Sequence, residues 1–431
     1  MPLPPPLPGT ALRILATTDL GAAFTPVRTS FGTAGTCAGV ASLLAAERGP
    51  AIWLDAGDLA VGPTAALLGR RPWAEVGALP IAAAAAGNHE FDDGVPALRS
   101  AAAQLGFPLL CANVDVGLPG SALLDTAAGA LGVIGLTHPA THRFAPAPAP
   151  TGPDPVTGIA GQLRANGADR VVVLLHDGVD WWPGSRRTTR LARTTAAWAG
   201  DVDLIVGGHT PAGWIGTLSG TPAGHAPIFA SAVLVVDLPD VGRKPVVRGL
   251  FRVPPEPGGW EPFADDAIGE SRHTWLSRTG ARHYLPDLLA AAFRDATGAD
   301  AGLVPASAHT TQGALDGAVA ALPAGPVTRL DVYRLFGDPD DRLAVVRLRP
   351  GELTRLRHAL AEIADPRSAW ADDVWWNWCR MPNAFTTSDD AVRTLAVLPN
   401  VVPRLAEVLG RELDADRPGP GARAALTAVL S

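Results

Sequence analysis

The chain has 431 residues, 47% of them hydrophobic, and a formal net charge of −7. This length suits one to three domains with sizeable cores, and the acidic balance argues against a nucleic-acid polymer as a bulk partner. Three cysteines, Cys37, Cys111 and Cys379, lie far apart, so they supply neither a disulfide framework nor a Cys-x-x-Cys zinc knuckle.

Residues 1–11 open with Met1-Pro2-Leu3-Pro4-Pro5-Pro6-Leu7-Pro8. The stretch lacks basic residues and a continuous apolar core. It reads as a polyproline arm and not as a signal peptide. No apolar stretch approaches a membrane span, so the expected location is cytoplasmic with no membrane partner.

Residues 12–252 alternate strand-like and helical runs, the pattern of a layered α/β domain. The apolar run Leu12–Thr17 is followed by Asp19, and Ala51–Leu54 by Asp55-Ala56-Gly57-Asp58. Ile81–Ala86 runs into Gly87-Asn88-His89-Glu90-Phe91-Asp92. Val171–Leu175 ends at His176, and Asp203–Val206 at Gly207-Gly208-His209. Helices are predicted over Gly39–Arg48, Val95–Leu105, Val156–Asn166 and Arg187–Trp198. Two β-rich runs follow, Ile228–Leu238 and Val246–Val253. Residues 253–269 begin with Val253-Pro254-Pro255-Glu256-Pro257-Gly258-Gly259 and read as a linker. A second domain spans 270–431, with helices predicted at Leu285–Thr297, Leu353–Ile363 and Val402–Leu413.

Open α/β sheets bind ligands at the carboxyl ends of their strands. A single strand ending in Asp, Asn or His is usually a turn or a helix cap. Five in order bring hard oxygens and imidazoles together, which is what a transition metal requires. His89 can carry a proton, and Asp92, three residues on, can orient its ring. Asp55 reads as a hydrogen-bonding strand end, and His138 and His142 as structural. Asp177 and Asp180 read as capping or solvated residues, or as replacements for a lost ligand. Trp181-Trp182 either walls a cleft or packs. Arg186, Arg187 and Arg190 either neutralise phosphate or form a solvated helix face.

These blocks, in this order, resemble the calcineurin-like metallophosphoesterases and, within them, the 5′-nucleotidase family. Val133-Ile134-Gly135-Leu136-Thr137 and Ala112-Asn113-Val114 resemble it too. Leu330-Asp331-Val332-Tyr333 to Phe336-Gly337, and Leu343 to Leu353, resemble the family's second domain more weakly. The resemblance implies a four-layer αββα sandwich followed by a smaller α+β domain. It implies a metal site of Asp58, Asn88, His176 and His209, with Asp19 at a further site and His89 and Asp92 as the proton-transfer pair. The sequence departs from the family at that further site. Gly21, in Thr17-Thr18-Asp19-Leu20-Gly21-Ala22, stands where the family has His, and Pro211, in Gly208-His209-Thr210-Pro211, stands where it has His or Gln. One divalent transition metal, Mn, Fe or Zn, is therefore expected and not two.

The family's second domain stacks a base between aromatics and holds phosphate with arginines. Here Phe336 sits where the first aromatic is expected. Trp376, within the cluster Trp370, Trp375, Trp376, Trp378 and Phe385, reads as a second contact or as core packing. Leu303-Val304-Pro305-Ala306-Ser307-Ala308-His309-Thr310 lacks the family's Asn and Arg. The resulting expectation is a hydrolase of a nucleotide-like phosphate ester. The alternatives are chemistry other than phosphate hydrolysis, such as an elimination, and a ligand-binding protein with little turnover.

Overall fold

Near-continuous apolar runs, buried on both faces, build the centre of the first domain, as parallel strands covered on two sides must. The computed structural model describes residues 2–29, 32–143, 145–150, 152, 154–182, 185–210, 213–256, 266–276, 281–304, 321–333, 335–336, 342–364, 384–386, 391–416 and 419–430. The first domain's principal strands are β1 (Thr10–Thr17), β2 (Ala51–Asp55), β3 (Ile81–Ala85), β4 (Leu109–Leu110), β5 (Ser121–Thr126), β6 (Gly129–Leu136), β7 (Arg170–Leu175), β8 (Leu204–Gly207), β9 (Trp214–Leu218), β10 (Thr221–His225), β11 (Ala232–Pro239) and β12 (Val246–Arg252). They form two six-stranded sheets, in the orders β12-β11-β1-β2-β3-β4 and β9-β10-β8-β7-β6-β5. Strands β1 to β4 run parallel, as do β6, β7 and β8.

Side chains alternate across each strand, which divides the apolar residues among three cores. Ile14, Ala16, Leu54, Ala83 and Ala85 face Val172, Leu174, Leu204 and Val206 between the sheets. Leu15, Trp53 and Ala84 face outward under Val40, Leu43, Val76 and Leu98. Val171 and Val173 face the other way, under Val156, Ala160, Leu163 and Leu191. The covering helices are Cys37–Ala45, Trp73–Gly77 and Gly94–Ala102 on one side, and Val156–Ala165 and Thr189–Thr195 on the other. The result is the expected αββα stack.

Boundaries differ from the sequence expectation for local reasons. The first helix starts early because the Thr36 hydroxyl accepts from the Gly39 amide at 2.9 Å. The expected Arg187–Trp198 helix is α only over Thr189–Thr195 and tightens to a 3₁₀ turn over Ala196–Trp198. The expected Val402–Leu413 helix stops at Leu409, where Gly410 takes a left-handed φ of 65°. The expected strand Ile228–Leu238 begins only at Ala232, because Phe229 and Ala230 hold φ of 54° and 48°.

The second domain contains a five-stranded sheet whose strands, in spatial order, are Ala384–Phe385, Ala301–Val304, Thr394–Val397, Ala344–Arg347 and Ala415–Asp416. Helices Leu285–Thr297, Glu352–Ala364, Val402–Leu409 and Ala422–Leu430 contribute Leu289, Phe293, Leu356, Leu405 and Leu426 to one core. A short helix, Arg329–Tyr333, packs against Pro63–Leu68 of the first domain. No helix among the described residues is long and apolar enough to cross a membrane.

Candidate metal centre

Both sheets present their carboxyl ends to one edge. Asp19 follows β1, Asp58 follows β2, Asn88 follows β3, His176 follows β7 and His209 follows β8. Asp19, Asp58 and His209 hold φ of 49°, 60° and 66°, in the left-handed region that non-glycine residues seldom enter. Such strain persists where surrounding bonds over-determine it. Here the Asp19 amide donates to Gly57 O at 2.7 Å, and the His209 amide to Asp19 Oδ2 at 2.9 Å. The buried Glu90 carboxylate accepts from the amides of Asp58 (2.9 Å), Leu59 (2.9 Å) and Gly87 (2.6 Å), tying the β2 and β3 turns together. Gly87 has to be glycine, since a Cβ there would stand 2.1 Å from Asp58 Oδ1.

The ligand atoms of Asp58, His176 and His209 lie within 4.8 Å of one another, and all three residues are buried. Asn88 Oδ1 joins them, 3.1 Å from His176 Nε2 and 2.8 Å from His209 Nδ1. His176 Nε2 is 3.1 Å from Asp58 Oδ2. At 2.8 Å, His176 Nδ1 meets the Ala56 carbonyl, which can only accept, so Nδ1 carries a proton and Nε2 is the ring atom turned to the cluster. One carboxylate, one amide oxygen and two imidazoles fit a divalent transition ion.

The electrostatics agree with a cation site. Burial opposes ionisation of Asp58, but the charges of His176 and His89 and the hydrogen bonds from both hold its carboxyl below the ordinary range. Burial, with smaller repulsion from neighbouring carboxylates, pushes Asp55 and Glu90 up to about 7 each. Burial, then His138 and His176, hold His209 well below its ordinary value, in the neutral form that a ligand needs.

Beside the cluster, His89 Nδ1 meets Asp92 Oδ2 at 2.9 Å, and the imidazole is 42% exposed. The His89 amide donates to Asp58 Oδ1 at 2.9 Å. The position of Asp92 is fixed by Arg71, whose NH2 reaches the same Oδ2 at 2.9 Å while NH1 donates to the His89 carbonyl. Arg71 was not legible in the sequence, since nothing between residues 71 and 92 marks the pairing.

The structure thus brings Asp58, Asn88, His176, His209, His89 and Asp92 to one edge. The Asp19 carboxylate stands outside the 4.8 Å group, where it accepts from the His209 amide and the Thr18 hydroxyl. Asp55 accepts from Thr17 Oγ1 and the Gly57 amide, as a hydrogen-bonding strand end should. His138, at the end of β6, is fully buried, with its ring 4.3 Å from that of His209. Behind it, Asp177 is buried and takes two bonds from Arg190, so neither residue is a solvated surface group. Phe336 is 2% exposed and packs on Phe293 at 5.9 Å. That is a core position, with no ring face presented to a cleft, because the turn after Tyr333 points it inward. Trp376 and the rest of the Trp370–Trp378 cluster lie outside the described residues, as do Pro211 and the 305–310 stretch.

Residues 12–213 match the family model of the calcineurin-like phosphoesterases. A comparison of the sequence with curated proteins found no match. Three solved structures share the whole-chain fold. A 5′-nucleotidase precursor from Thermus thermophilus is 18% identical with a TM-score of 0.71, over 97% of this chain and 96% of that one. The sulfate thiohydrolase SoxB, also of Thermus thermophilus, is 15% identical with a TM-score of 0.69, over 100% and 96%. A 5′-nucleotidase from Candida albicans is 10% identical with a TM-score of 0.67, over 100% and 98%. At these identities the likeness establishes the fold.

Proposed function

Because residues 12–213 form a calcineurin-like phosphoesterase domain, we propose that this chain hydrolyses a phosphate ester of a nucleotide-like small molecule with one divalent transition ion. The observation that carries the reading is the convergence of Asp58, Asn88, His176 and His209 with the His89–Asp92 pair beside them. A divalent ion on those four residues supplies Lewis-acid polarisation of the phosphoryl group and activation of water. The chain's own groups do the rest. His89 gives its proton to the departing alkoxide, Asp92 holds the imidazole in register, and Arg71 holds Asp92. The His176 Nδ1 bond to Ala56 O fixes that ligand's ring, and Glu90 keeps the Asp58 and Gly87 turns at their spacing. The second domain covers the organic part of the ligand.

Purified protein, stripped and reloaded with Mn²⁺, should carry one equivalent by elemental analysis and release phosphate from nucleoside monophosphates. No metal after reloading would sink the reading. A second reading is favoured by one neighbour, whose name is that of a sulfate thiohydrolase. The panel should therefore include sulfate and thiosulfate esters. Turnover of those alone would replace phosphate hydrolysis as the activity.

A further inference from the structure

The Asp19 side of the centre does not fit a second ion. We infer that Phe229 closes this side and makes the centre mononuclear by construction. This rests on the single-ion reading above and names the residue that enforces it. The turn after β1 is tied to the turn after β2. The amides of Asp19, Gly21 and Ala22 donate to the carbonyls of Gly57 (2.7 Å), Asp58 (3.1 Å) and Leu59 (2.7 Å), so residue 21 still borders the Asp58 turn. From the opposite side the Phe229 amide donates to Asp19 O at 2.9 Å, and this brings the Phe229 ring against Gly21.

A Cβ on Gly21 would stand 2.5 and 2.7 Å from two ring carbons of Phe229 and 2.7 Å from Val61 O, with φ at +55°. The ring therefore takes the space that a donor side chain at 21 would need. Phe229 and Ala230 hold φ of 54° and 48°, left-handed backbone that persists only where surrounding contacts over-determine it. Asp19 remains, and its Oδ2 accepts from both the His209 amide and the Thr18 hydroxyl. Among the described residues, Asp19 and a shared Asp58 are the two protein donors on this side, too few for a tightly held ion. Asp19 is then a positioning residue for His209. The chemistry left on this side is apolar and aromatic, against whatever part of the substrate lies there.

The test is metal stoichiometry read by elemental analysis and by Mn²⁺ electron paramagnetic resonance, with no substrate present. Wild type should bind one equivalent with an isolated six-line signal. Phe229→His uses a side chain on the same path and adds an imidazole beside Asp19. It should bind two equivalents with an exchange-coupled signal, and adding Asp19→Asn should return it to one. Phe229→Ala, which opens the space without adding a donor, should take a second Mn²⁺ only at concentrations at least tenfold above those that fill the first site. Two equivalents in wild type would overturn the inference while leaving the hydrolase reading intact, whereas none would sink the reading beneath it. A folded Phe229→His protein that stays at one equivalent would overturn it. If that variant fails to fold, a Phe229→Ala protein with no second Mn²⁺ at any concentration would do the same.

Discussion

The strand-end edge of the first domain and the core of the second domain are built on opposite principles. The edge buries Asp55, Asp58, Asn88, Glu90, His138, His176, Asp177 and His209 together, and Asp58 and His209 among them hold left-handed φ. The second domain buries Leu289, Phe293, Phe336, Leu356, Leu405 and Leu426, and its buried polar or charged residues among those described are Ser271, Asp331 and Glu352. Buried polar groups cost free energy unless bonded, so a cluster of them marks a place where chemistry is needed. An apolar core states only that the domain folds. A mutation at the edge should therefore cost function with modest loss of stability, and a mutation in the second core the reverse.

The largest expected effect is on rate. His209→Ala and Asp58→Asn should each release the metal, while His89→Ala should keep it and lower kcat by about 10²–10⁴. Elemental analysis and hydrolysis of a generic phosphomonoester on the same samples check this. Loss of metal from His89→Ala would show that His89 is a ligand, and the proton-transfer role would fall.

The converse holds in the second domain. Phe293→Ala removes a fully buried ring that packs on Phe336 and should cost about 3–5 kcal/mol. Urea denaturation should show the loss, with the metal content of the folded fraction unchanged. A folded Phe293→Ala protein that lost its metal would break the separation between the regions.

How much of this was legible in the sequence follows from the same contrast. The strands that converge on the candidate centre were readable because an apolar run that stops at Gly-Asp, Gly-Asn-His or Gly-Gly-His is a local signal. The layered α/β order followed from the alternation of strand and helix, and its αββα form from the family resemblance. Glu90 lay in plain view within the hexapeptide, yet its role depends on three amides, two of them more than thirty positions away at Asp58 and Leu59. Phe229 carries no motif at all, and its relation to Gly21 exists only in three dimensions. Phe336 could be read either way, because a pocket aromatic and a core aromatic look alike along a chain. The turn that buries it against Phe293 is a tertiary fact.

Glu90 tests where the two kinds of construction meet. Glu90→Gln keeps the size but replaces a carboxylate that accepts three amides with a single acceptor oxygen. About 1–3 kcal/mol of stability should be lost. Metal affinity should fall with it, since the Asp58 and Gly87 turns lose their common anchor. Isothermal titration with Mn²⁺ and thermal melts should report both losses in the one variant. Lost stability with unchanged affinity would confine Glu90 to folding.

The smallest expected effect concerns an acid–base pair that ties together elements of the second domain. Arg411 Nε and NH2 reach the two carboxylate oxygens of Glu352 at 2.8 and 2.6 Å. The Arg411 hydrogen bonds, set against a smaller opposing effect of burial, lower Glu352 to about 2 from an ordinary 4.5. A carboxylate lowered on folding stabilises the ionised native state, so its contribution is complete above the ordinary value of 4.5 and is lost as pH falls toward 2. Glu352→Gln should therefore lower stability at pH 7 by about 1–2 kcal/mol, the size of a charge-assisted hydrogen-bonded pair near the surface. The gap in thermal midpoint between wild type and variant should narrow as pH drops below 4.5 and close near 2. Taking the difference between the two proteins cancels the carboxylates they share, including those of the metal centre. A gap that stayed constant across this window would mean that packing of the Glu352 side chain, and not its charge, holds these elements together.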